Sequence, residues 1–251
     1  GAASMIFFAL GLFFSSFDVR AESVVMSLYN EANAQYREGD FTTAIAGYEK
    51  AIDSGGKNSF LFYNLGNAYF EDKNIGRAIL WYERARKLAP RDEDILANLR
   101  FARQVKKDRE PEDIGDIERL LANLFNFPTM NELSVIYSIS WVFLFVVAGW
   151  CVWYRHWKGK LFILSLVFVF VSLFSGIWLF SRTYFDAEEI PAIIMNEIVT
   201  ARSGPGINQT EVFVVHEGTK VYVKRKENEW VLIRLHSGLG GWVLGSQIES
   251  I

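Results

Sequence analysis

The sequence has very few residues of the types that build disulfides, metal sites and nucleophile–base pairs. It contains one cysteine, Cys151, and three histidines, His156, His216 and His236. A single cysteine excludes an intramolecular disulfide, and Cys151 lies in an apolar run, where it serves as a small apolar side chain. The two C-terminal histidines have no cysteine or carboxylate motif near them in the sequence, and no zinc spacing, nucleophile elbow or phosphate loop is present. We therefore predict a protein that is not an enzyme and has no metal or cofactor; an enzyme whose site is shared with a partner is the remaining alternative.

Charge is also distributed unevenly. The net charge of -3 at pH 7 leaves no basic surface of the kind that binds nucleic acid. Ionisable residues are absent from two runs, Leu133–Tyr154 and Leu161–Ser181. A helix of this length crosses the roughly 30 Å hydrocarbon core of a bilayer. We predict transmembrane helices at 133–154 and 161–184, with a hairpin buried in a soluble protein as the alternative.

The connector between the two runs predicts their orientation. Residues 155–160 include Arg155, Lys158 and Lys160, whereas the outer flanks are mainly acidic. Positively charged loops stay in the cytoplasm, so this turn is expected there and both long arms on the opposite side. The sequence predicts a bacterial cytoplasmic-membrane protein with two spans and two periplasmic arms.

The first residues of the chain are consistent with export. Met5–Phe17 is apolar but short for a span, and Val19, Arg20 and Ala21 place small residues at a signal-peptidase site. We predict a signal peptide at 1–21. If it is not removed, it becomes a short membrane anchor and the following arm is still exported.

Residues 22–108 repeat with a period of 34 residues. A shift by this period aligns Ala32 with Gly66, Asn33 with Asn67, Ala44 with Ala78, Tyr48 with Tyr82 and Ala51 with Ala85. The pattern resembles the tetratricopeptide repeat, and the second copy has the signature residues Phe62, Leu65, Gly66, Tyr69, Ala78, Tyr82, Ala85 and Pro90. The resemblance implies an all-α solenoid of two repeats, 24–58 and 59–92, and a capping helix at 93–108.

The same resemblance implies a concave peptide-binding groove lined by the first helix of each repeat. The residues that it places there are Tyr29, Asn33, Tyr36, Tyr63, Asn64, Asn67, Phe70, Asn98 and Phe101. Asn33 and Asn64 match two asparagines of tetratricopeptide domains that clamp a C-terminal carboxylate, but Tyr29 and Asp94 occupy the clamp's lysine positions. We therefore favour another extended peptide or helix as ligand; a groove that packs against the rest of the chain is the alternative.

An amphipathic connector is predicted at 109–132. Ile114, Ile117, Leu121 and Leu124 follow at helical spacing, and this stripe either packs on the repeats, which we favour, or lies on the membrane surface. Thr129 and Glu132 then form a capping box that begins the first span.

Residues 192–251 predict a small all-β barrel of five strands, at 194–201, 211–215, 220–224, 230–235 and 241–243. The residues Ala201-Arg202-Ser203-Gly204-Pro205, Glu217-Gly218-Thr219 and Gly241-Trp242-Val243 resemble the bacterial SH3-like domain. The resemblance implies a docking or cell-wall-binding surface, to which Tyr222, Trp230 and Trp242 could contribute. A structural role for the tryptophans is the equal alternative.

The order of these segments resembles the BatE proteins of the Bacteroides aerotolerance (Bat) operon. That resemblance implies partners among von Willebrand factor A-domain membrane proteins and a MoxR-type ATPase, and a link to oxygen or stress tolerance. Our leading hypothesis is a non-catalytic membrane-anchored scaffold with two periplasmic interaction modules. The alternative is a wall-sensing or wall-anchoring receptor whose SH3-like domain binds peptidoglycan. The sequence leaves open whether the two modules touch.

Overall fold

A computed structural model describes residues 22–108, 117, 120–121, 124–125, 127–153, 158–188 and 190–251. The predicted signal peptide (1–21), residues 109–116 of the predicted connector and residues 155–157 of the predicted turn lie outside this part of the chain. The described chain forms two compact units. One contains the N-terminal helices and the C-terminal sheet, and the other contains the two long apolar helices.

Five helices make up the repeat region: α1 (22–38), α2 (Phe41–Asp53), α3 (Ser59–Glu71), α4 (Ile75–Leu88) and α5 (Glu93–Val105). A side chain caps the first turn of each of the last four. Asp40, Asn58, Asn74 and Asp92 accept hydrogen bonds from backbone amides that the helix itself leaves unpaired. These caps recur between helices of similar length, so the local sequence itself defines an all-α hairpin array.

Small residues allow the helices of each hairpin to pack closely. Gly66 on α3 faces the Tyr82 ring on α4, and a Cβ atom at Gly66 would lie 2.7 Å from that ring. Ala32 on α1, the residue equivalent to Gly66, faces Gly47 on α2. Ala44, Ala51, Ala78 and Ala85 are fully buried beside them. The period of small residues in the sequence is therefore the period of helix contacts in the solenoid.

The C-terminal region is one antiparallel sheet with strand order β3-β2-β6-β5-β4-β1-β7. Its strands are β1 (Ile190–Ile194), β2 (Ile198–Arg202), β3 (Glu211–His216), β4 (Lys220–Glu227), β5 (Trp230–Arg234), β6 (Gly240–Leu244) and β7 (Ile248–Ser250). A short 3-10 helix, Gly245–Gln247, links the last two strands. The core on one face contains Ala192, Ile194, Val199, Ala201, Val215, Val221, Val231, Ile233 and Val243.

Two differences separate this sheet from the predicted one. The strand predicted at 194–201 is confirmed only as β2, while residues 195–197 form a turn and the preceding strand β1 was missed. The turn is needed because the chain changes partner there: β1 pairs with β7, whereas β2 pairs with β3 and β6. The strand at Ile248–Ser250 was missed, since it is only three residues long and alternation cannot be recognised over that length.

The second unit contains α6 (Met130–Trp153) and α7 (Lys158–Glu188). The predicted capping box is confirmed: Thr129 N–H donates to Glu132 Oε2 at 2.8 Å, and Glu132 N–H donates to Thr129 Oγ1 at 3.2 Å. Residues 158–160, predicted as part of the turn, are instead the first turn of α7. α7 also continues to Glu188, because Arg182, Thr183 and Asp186 are polar without breaking a helix.

The two long helices pack antiparallel to each other. Phe143 stacks on Phe168 with ring centroids 5.1 Å apart, and Gly176 faces the Tyr137 ring. Segments Met130–Trp150 and Phe162–Tyr184 are long and apolar enough, by length and composition, to cross a membrane. Ser140, Ser172 and Ser175 lie buried. Ser140 and Ser175 donate hydrogen bonds to helix carbonyls, at Tyr137 and at Val171, which satisfies their hydroxyls in an apolar setting.

Candidate functional site

The predicted groove asparagines form hydrogen bonds with one another and with tyrosines. Asn33 Oδ1 on α1 accepts from the Tyr48 hydroxyl at 2.7 Å and from Asn64 Nδ2 at 3.0 Å. Asn64 Nδ2 on α3 also donates to the Tyr29 hydroxyl at 2.8 Å. This four-residue network joins three successive helices and fixes the amide planes at the surface of the groove.

The same network recurs one repeat later. Asn67 Oδ1 accepts from the Tyr82 hydroxyl at 2.7 Å and from Asn98 Nδ2 at 2.9 Å, and Asn98 Nδ2 also donates to the Tyr63 hydroxyl at 3.0 Å. Tyr82 is almost completely buried, and burial together with the neighbouring Tyr63 raises the pKa of its hydroxyl. The hydroxyl is therefore a neutral donor, which is the state that Asn67 requires.

Two cavities open on this surface, related by the repeat period. The first has a volume of about 100 Å³ and is lined by Asn33, Tyr36, Arg37, Tyr48, Asn64 and Asn67. The second has a volume of about 250 Å³ and is lined by Tyr36, Asn67, Phe70, Glu71, Tyr82, Asn98 and Phe101. We call these the first and second groove pockets; Tyr36 and Asn67 belong to both, so the pockets are adjacent.

The structure brings all nine predicted groove residues together. Six of them, the tyrosines at 29 and 63 and the four asparagines, belong to the two hydrogen-bond networks, and Tyr36, Phe70 and Phe101 line the pockets. Phe70 and Phe101 contact each other with ring centroids 5.5 Å apart, and Phe101 remains 56% exposed. The network leaves the amide nitrogen of Asn33 and the amide oxygen of Asn64 unused, so the groove keeps polar groups that could pair with a ligand.

Sequence reasoning missed four groove residues. Tyr48 and Tyr82 come from the second helix of each repeat, and their place in the 34-residue alignment was the signal that could have identified them. Arg37 and Glu71 follow Tyr36 and Phe70 and also occupy equivalent positions in that alignment. They were missed because a charged residue at a helix end is ordinarily a solvated surface residue.

A second feature of this unit is the contact between the sheet and α4. Gly76 at the start of α4 faces Gly218 in the β3–β4 turn: a Cβ atom on Gly76 would lie 3.3 Å from the Gly218 amide nitrogen. Ile193 of β1 belongs to the same buried cluster as Ile79 and Leu80 of α4, and Met195 and Ile251 pack against it. The repeats and the sheet thus share a hydrophobic core.

Glu83 is the charged centre of this contact. It lies on α4 with 0% of its surface exposed, and its carboxylate pairs with Arg86 at 2.8 Å, with Arg103 of α5 and with Lys220 of β4 at 3.7 Å. Burial alone would raise the pKa of Glu83, but Lys220, Arg86 and Arg103 together lower it to about 2. A buried carboxylate is stable only with such compensation, and the sheet supplies part of it through Lys220.

Asp108 makes the corresponding contact just after α5. Its carboxylate accepts from the His216 amide at 2.7 Å and from the Thr219 hydroxyl at 2.9 Å, and Oδ1 lies 2.6 Å from His216 Nδ1. These three hydrogen bonds outweigh partial burial and lower the pKa of Asp108. Glu217 follows His216 directly in the sequence, but the carboxylate that pairs with the His216 ring is 108 residues away, on Asp108.

Two basic side chains of α4 bind the last strand. Arg84 Nη2 lies 3.0 Å from Glu249 Oε1 and donates to the Ser250 carbonyl at 2.7 Å, while its guanidinium stacks 4.5 Å from the Trp81 ring centroid. Lys87 Nζ donates to the Ile251 carbonyl at 2.9 Å. The contact between sheet and repeats therefore extends along the whole length of α4.

The three predicted SH3-like surface residues lie on one face of the sheet, opposite the core. In the sheet register Tyr222 pairs with Arg234, Leu232 pairs with Trp242, and Trp230 pairs with Leu244. Val231 and Ile233 on β5 point into the core, so Trp230 and Leu232, which alternate with them, point to the opposite face together with their paired residues on β4 and β6. Trp242 is only 8% exposed, with the Arg225 guanidinium 6.0 Å from its ring centroid, whereas Tyr222 and Trp230 are partly exposed.

Within the described residues no group of three or more histidine, cysteine, aspartate or glutamate side chains is arranged to hold a metal ion. Asp108, His216 and Thr219 form a hydrogen-bonded cluster that joins the end of α5 to the β3–β4 region of the sheet.

Comparison with known proteins defines the class of both modules. Residues 29–93 match the tetratricopeptide repeat family, and residues 199–249 match the bacterial SH3 domain family. Both predicted resemblances are therefore confirmed at the level of the module. The chain combines a helical tetratricopeptide region, two helices long and apolar enough to cross a membrane, and an antiparallel all-β SH3-like domain.

Similar solved structures cover the repeats. The TPR domain of Arabidopsis OM64 is 19% identical, covering 34% of this chain and 69% of that chain, with a TM-score of 0.33. The second TPR of Spaghetti (RPAP3), bound to an HSP90 peptide, is 22% identical, covering 36% of this chain and 81% of that chain, with a TM-score of 0.33. No curated protein matches the chain.

Proposed function

We propose that this protein is a non-catalytic, membrane-anchored scaffold whose tetratricopeptide groove binds an extended segment of a partner protein. The observation that supports this most directly is the pair of adjacent groove pockets, which keep exposed aromatic surface and unused amide groups. Tetratricopeptide and SH3-like domains are interaction modules, and the chain contains both. Binding, and not chemistry, is the function that these residues support.

The hydrogen-bond networks prepare the groove for binding. Asn33 and Asn67 each accept two hydrogen bonds, so their orientation is fixed before a ligand arrives. A ligand then loses less free energy in ordering the site, since the protein side chains are already in place. Phe101 and Phe70 supply apolar contact area of the kind that dominates protein interfaces.

The contact between repeats and sheet gives the scaffold a fixed geometry. Because Ile193 is part of the repeat core and Glu83 pairs with Lys220, the two modules are held together and not joined by a loose tether. The SH3-like domain covers α4, which leaves the groove formed by α1, α3 and α5 open. We propose that the domain supports the solenoid from behind while a partner binds in front.

A wall-binding receptor is the second candidate function. It is supported by the common face of Tyr222, Trp230 and Trp242 on the sheet. The small exposed fraction of Trp242 weakens it, since little of that ring is left for a ligand to contact. We therefore favour the groove as the principal binding site.

We propose that α6 and α7 place both modules on the periplasmic side of the cytoplasmic membrane. Full-length protein with Cys151→Ser and one new cysteine should test this in spheroplasts treated with a membrane-impermeant maleimide. Lys57→Cys in the repeats and Ser237→Cys in the sheet should label, whereas Gly159→Cys in the first turn of α7 should label only after lysis. Labelling of Gly159→Cys in unbroken spheroplasts, or failure at either arm, would contradict this topology.

The groove itself is tested by Phe101→Ala in the full-length membrane protein. Crosslinked partners recovered from membranes should fall by about tenfold if Phe101 is a binding hot spot, since a loss of about 1.4 kcal/mol weakens binding tenfold. Leu88→Ala is the matched control, since Leu88 is a similarly exposed apolar residue on α4, outside both pockets. Asn67 is a poorer probe, as its loss would also leave the buried Tyr82 hydroxyl unpaired. Equal recovery from Phe101→Ala and the wild type would remove the groove from the proposed function.

We propose, finally, that the scaffold acts in a Bat-type envelope complex. The support is the order of repeats, apolar helix pair and SH3-like domain along the chain. Partners with von Willebrand factor A domains and a MoxR-type ATPase, together with a role in aerotolerance or stress, belong to this proposal.

A further inference from the structure

The two groove pockets are built alike but differ in charge. Each residue of the first pocket has its counterpart 34 residues later in the second, and at one of these positions Arg37 is replaced by Glu71. Both side chains are exposed at the pocket rim. The groove therefore presents a positive charge at one end and a negative charge at the other.

The first pocket suits an anionic side chain. Besides the Arg37 guanidinium, it offers the Asn33 amide nitrogen that the hydrogen-bond network leaves unused. Arg37 and Tyr48 line the same pocket, and the Arg37 charge opposes the rise in the pKa of Tyr48 that burial and the neighbouring Tyr29 and Tyr36 cause. A carboxylate of a bound peptide would find a cation and an N–H donor together.

The second pocket suits a cationic side chain. Glu71 lies beside Tyr36, Phe70 and Phe101, so a carboxylate and aromatic rings line the same cavity. Tyr36 lines both pockets, and burial together with the charge of Glu71 raises the pKa of its hydroxyl. A lysine or arginine side chain would pair with Glu71 while its stem and charge contact the rings.

The spacing of the helices sets the spacing of the ligand's charges. Arg37 is on α1 and Glu71 on α3, and the bonds from Asn64 to Tyr29 and Asn33 show that these helices are in direct contact. Packed helices lie about 8–10 Å apart. An extended chain advances about 3.3 Å per residue, so this distance corresponds to about three residues.

We propose that the groove recognises an extended peptide segment that carries an acidic side chain and a lysine or arginine about three residues apart. The acidic side chain occupies the first pocket and the basic one the second. This proposal rests on the proposed function of the groove and adds the chemistry of its ligand.

The test uses full-length protein in nanodiscs and a set of nine-residue peptides with both termini blocked. Each peptide contains one glutamate and one lysine in an alanine–serine–leucine background, at every spacing from adjacent to five apart and in both orders. Fluorescence anisotropy compares the wild type with Arg37→Glu/Glu71→Arg. Asp53→Lys/Lys57→Glu is the control, because it also exchanges two exposed charges without changing the net charge and lies in the α2–α3 region, outside both pockets.

We expect the wild type to prefer one order at a spacing of about three, by about fivefold over the reversed order, as partly exposed charge pairs give. The Arg37→Glu/Glu71→Arg variant should bind the peptides of reversed order more tightly. The Asp53→Lys/Lys57→Glu control should show the same preference as the wild type. If peptides bind without this preference, or the exchange leaves it unchanged, the charge proposal is wrong. Weaker binding of the same peptides by the Phe101→Ala variant would then show that the groove is still their binding site. If none of the peptides binds, both proposals are contradicted.

Discussion

Glu83→Ala should lower the free energy of unfolding of the repeat–sheet unit by about 3 kcal/mol, the low end of the cost of breaking a buried ion pair. The carboxylate is completely buried and compensates three cations, Arg86, Arg103 and Lys220. The low end applies because Arg86 and Arg103 are 37% and 41% exposed, so water screens part of their charge once Glu83 is gone. Denaturant unfolding of the full-length protein in detergent, followed by circular dichroism, measures the difference. Glu31→Ala, an exposed glutamate on α1, is the control, and equal stability of the two variants would contradict this account.

The same cluster predicts how stability depends on acid. The pKa of Glu83 is about 2 in the folded protein and 4.5 ordinarily, so the unfolded chain binds a proton first as the pH falls. The stabilisation is fully present above pH 4.5 and is lost as the pH falls toward 2. Glu83→Gln removes the titrating group, so the slope of stability in this range should be smaller in that variant than in the wild type. An unchanged slope would show that other carboxylates account for the acid sensitivity.

Gly218→Ala should destabilise the same unit by about 3 kcal/mol, combining the strain of a positive φ with overpacking of a core. Gly218 has φ +78°, and a Cβ atom there would lie 2.8 Å from Ile79 Cδ1 on α4. Either the buried Ile79 side chain must change its position in the core, or the β3–β4 turn must move away from α4. The measurement is again equilibrium unfolding of the full-length protein.

Gly238 provides a matched control for this second prediction. It lies in another turn of the sheet with φ +89°, and a Cβ atom there would meet nothing within 4 Å. Gly238→Ala therefore carries the backbone strain of about 1 kcal/mol without the contact with α4. If the two alanine variants lose equal stability, the sheet does not depend on the close approach of Gly218 to the helix.

Both predictions concern the contact between two modules that usually work as separate units. In this protein the SH3-like sheet contributes Ile193 to the core of the repeats, and α4 gives Arg84 and Lys87 to the last strand. A solenoid of two repeats and one further helix exposes apolar faces that longer arrays bury against further repeats. The sheet covers apolar surface of α4, which stabilises so short a solenoid.

The sequence by itself determined the local elements and their periods. The 34-residue alignment placed Asn33, Asn67, Tyr48 and Tyr82 in equivalent positions, because each repeat must bury the same contacts with its neighbour. Two long runs without ionisable residues predicted α6 and α7, and Thr129 with Glu132 predicted where α6 begins. These features depend on residues a few positions or one repeat apart, so they can be recognised along the chain.

Only the tertiary structure decided how these elements are used. It turned the groove asparagines toward one another and their tyrosines, put Arg37 and Glu71 at the rims of two adjacent pockets, and gave His216 a partner 108 residues away. It also made a buried charge centre of Glu83, which the sequence presents as one more glutamate on an amphipathic helix. The physical reason is that burial, pairing and close approach depend on which surfaces meet in space, and the packing of a sheet on α4 leaves no periodic pattern in either segment.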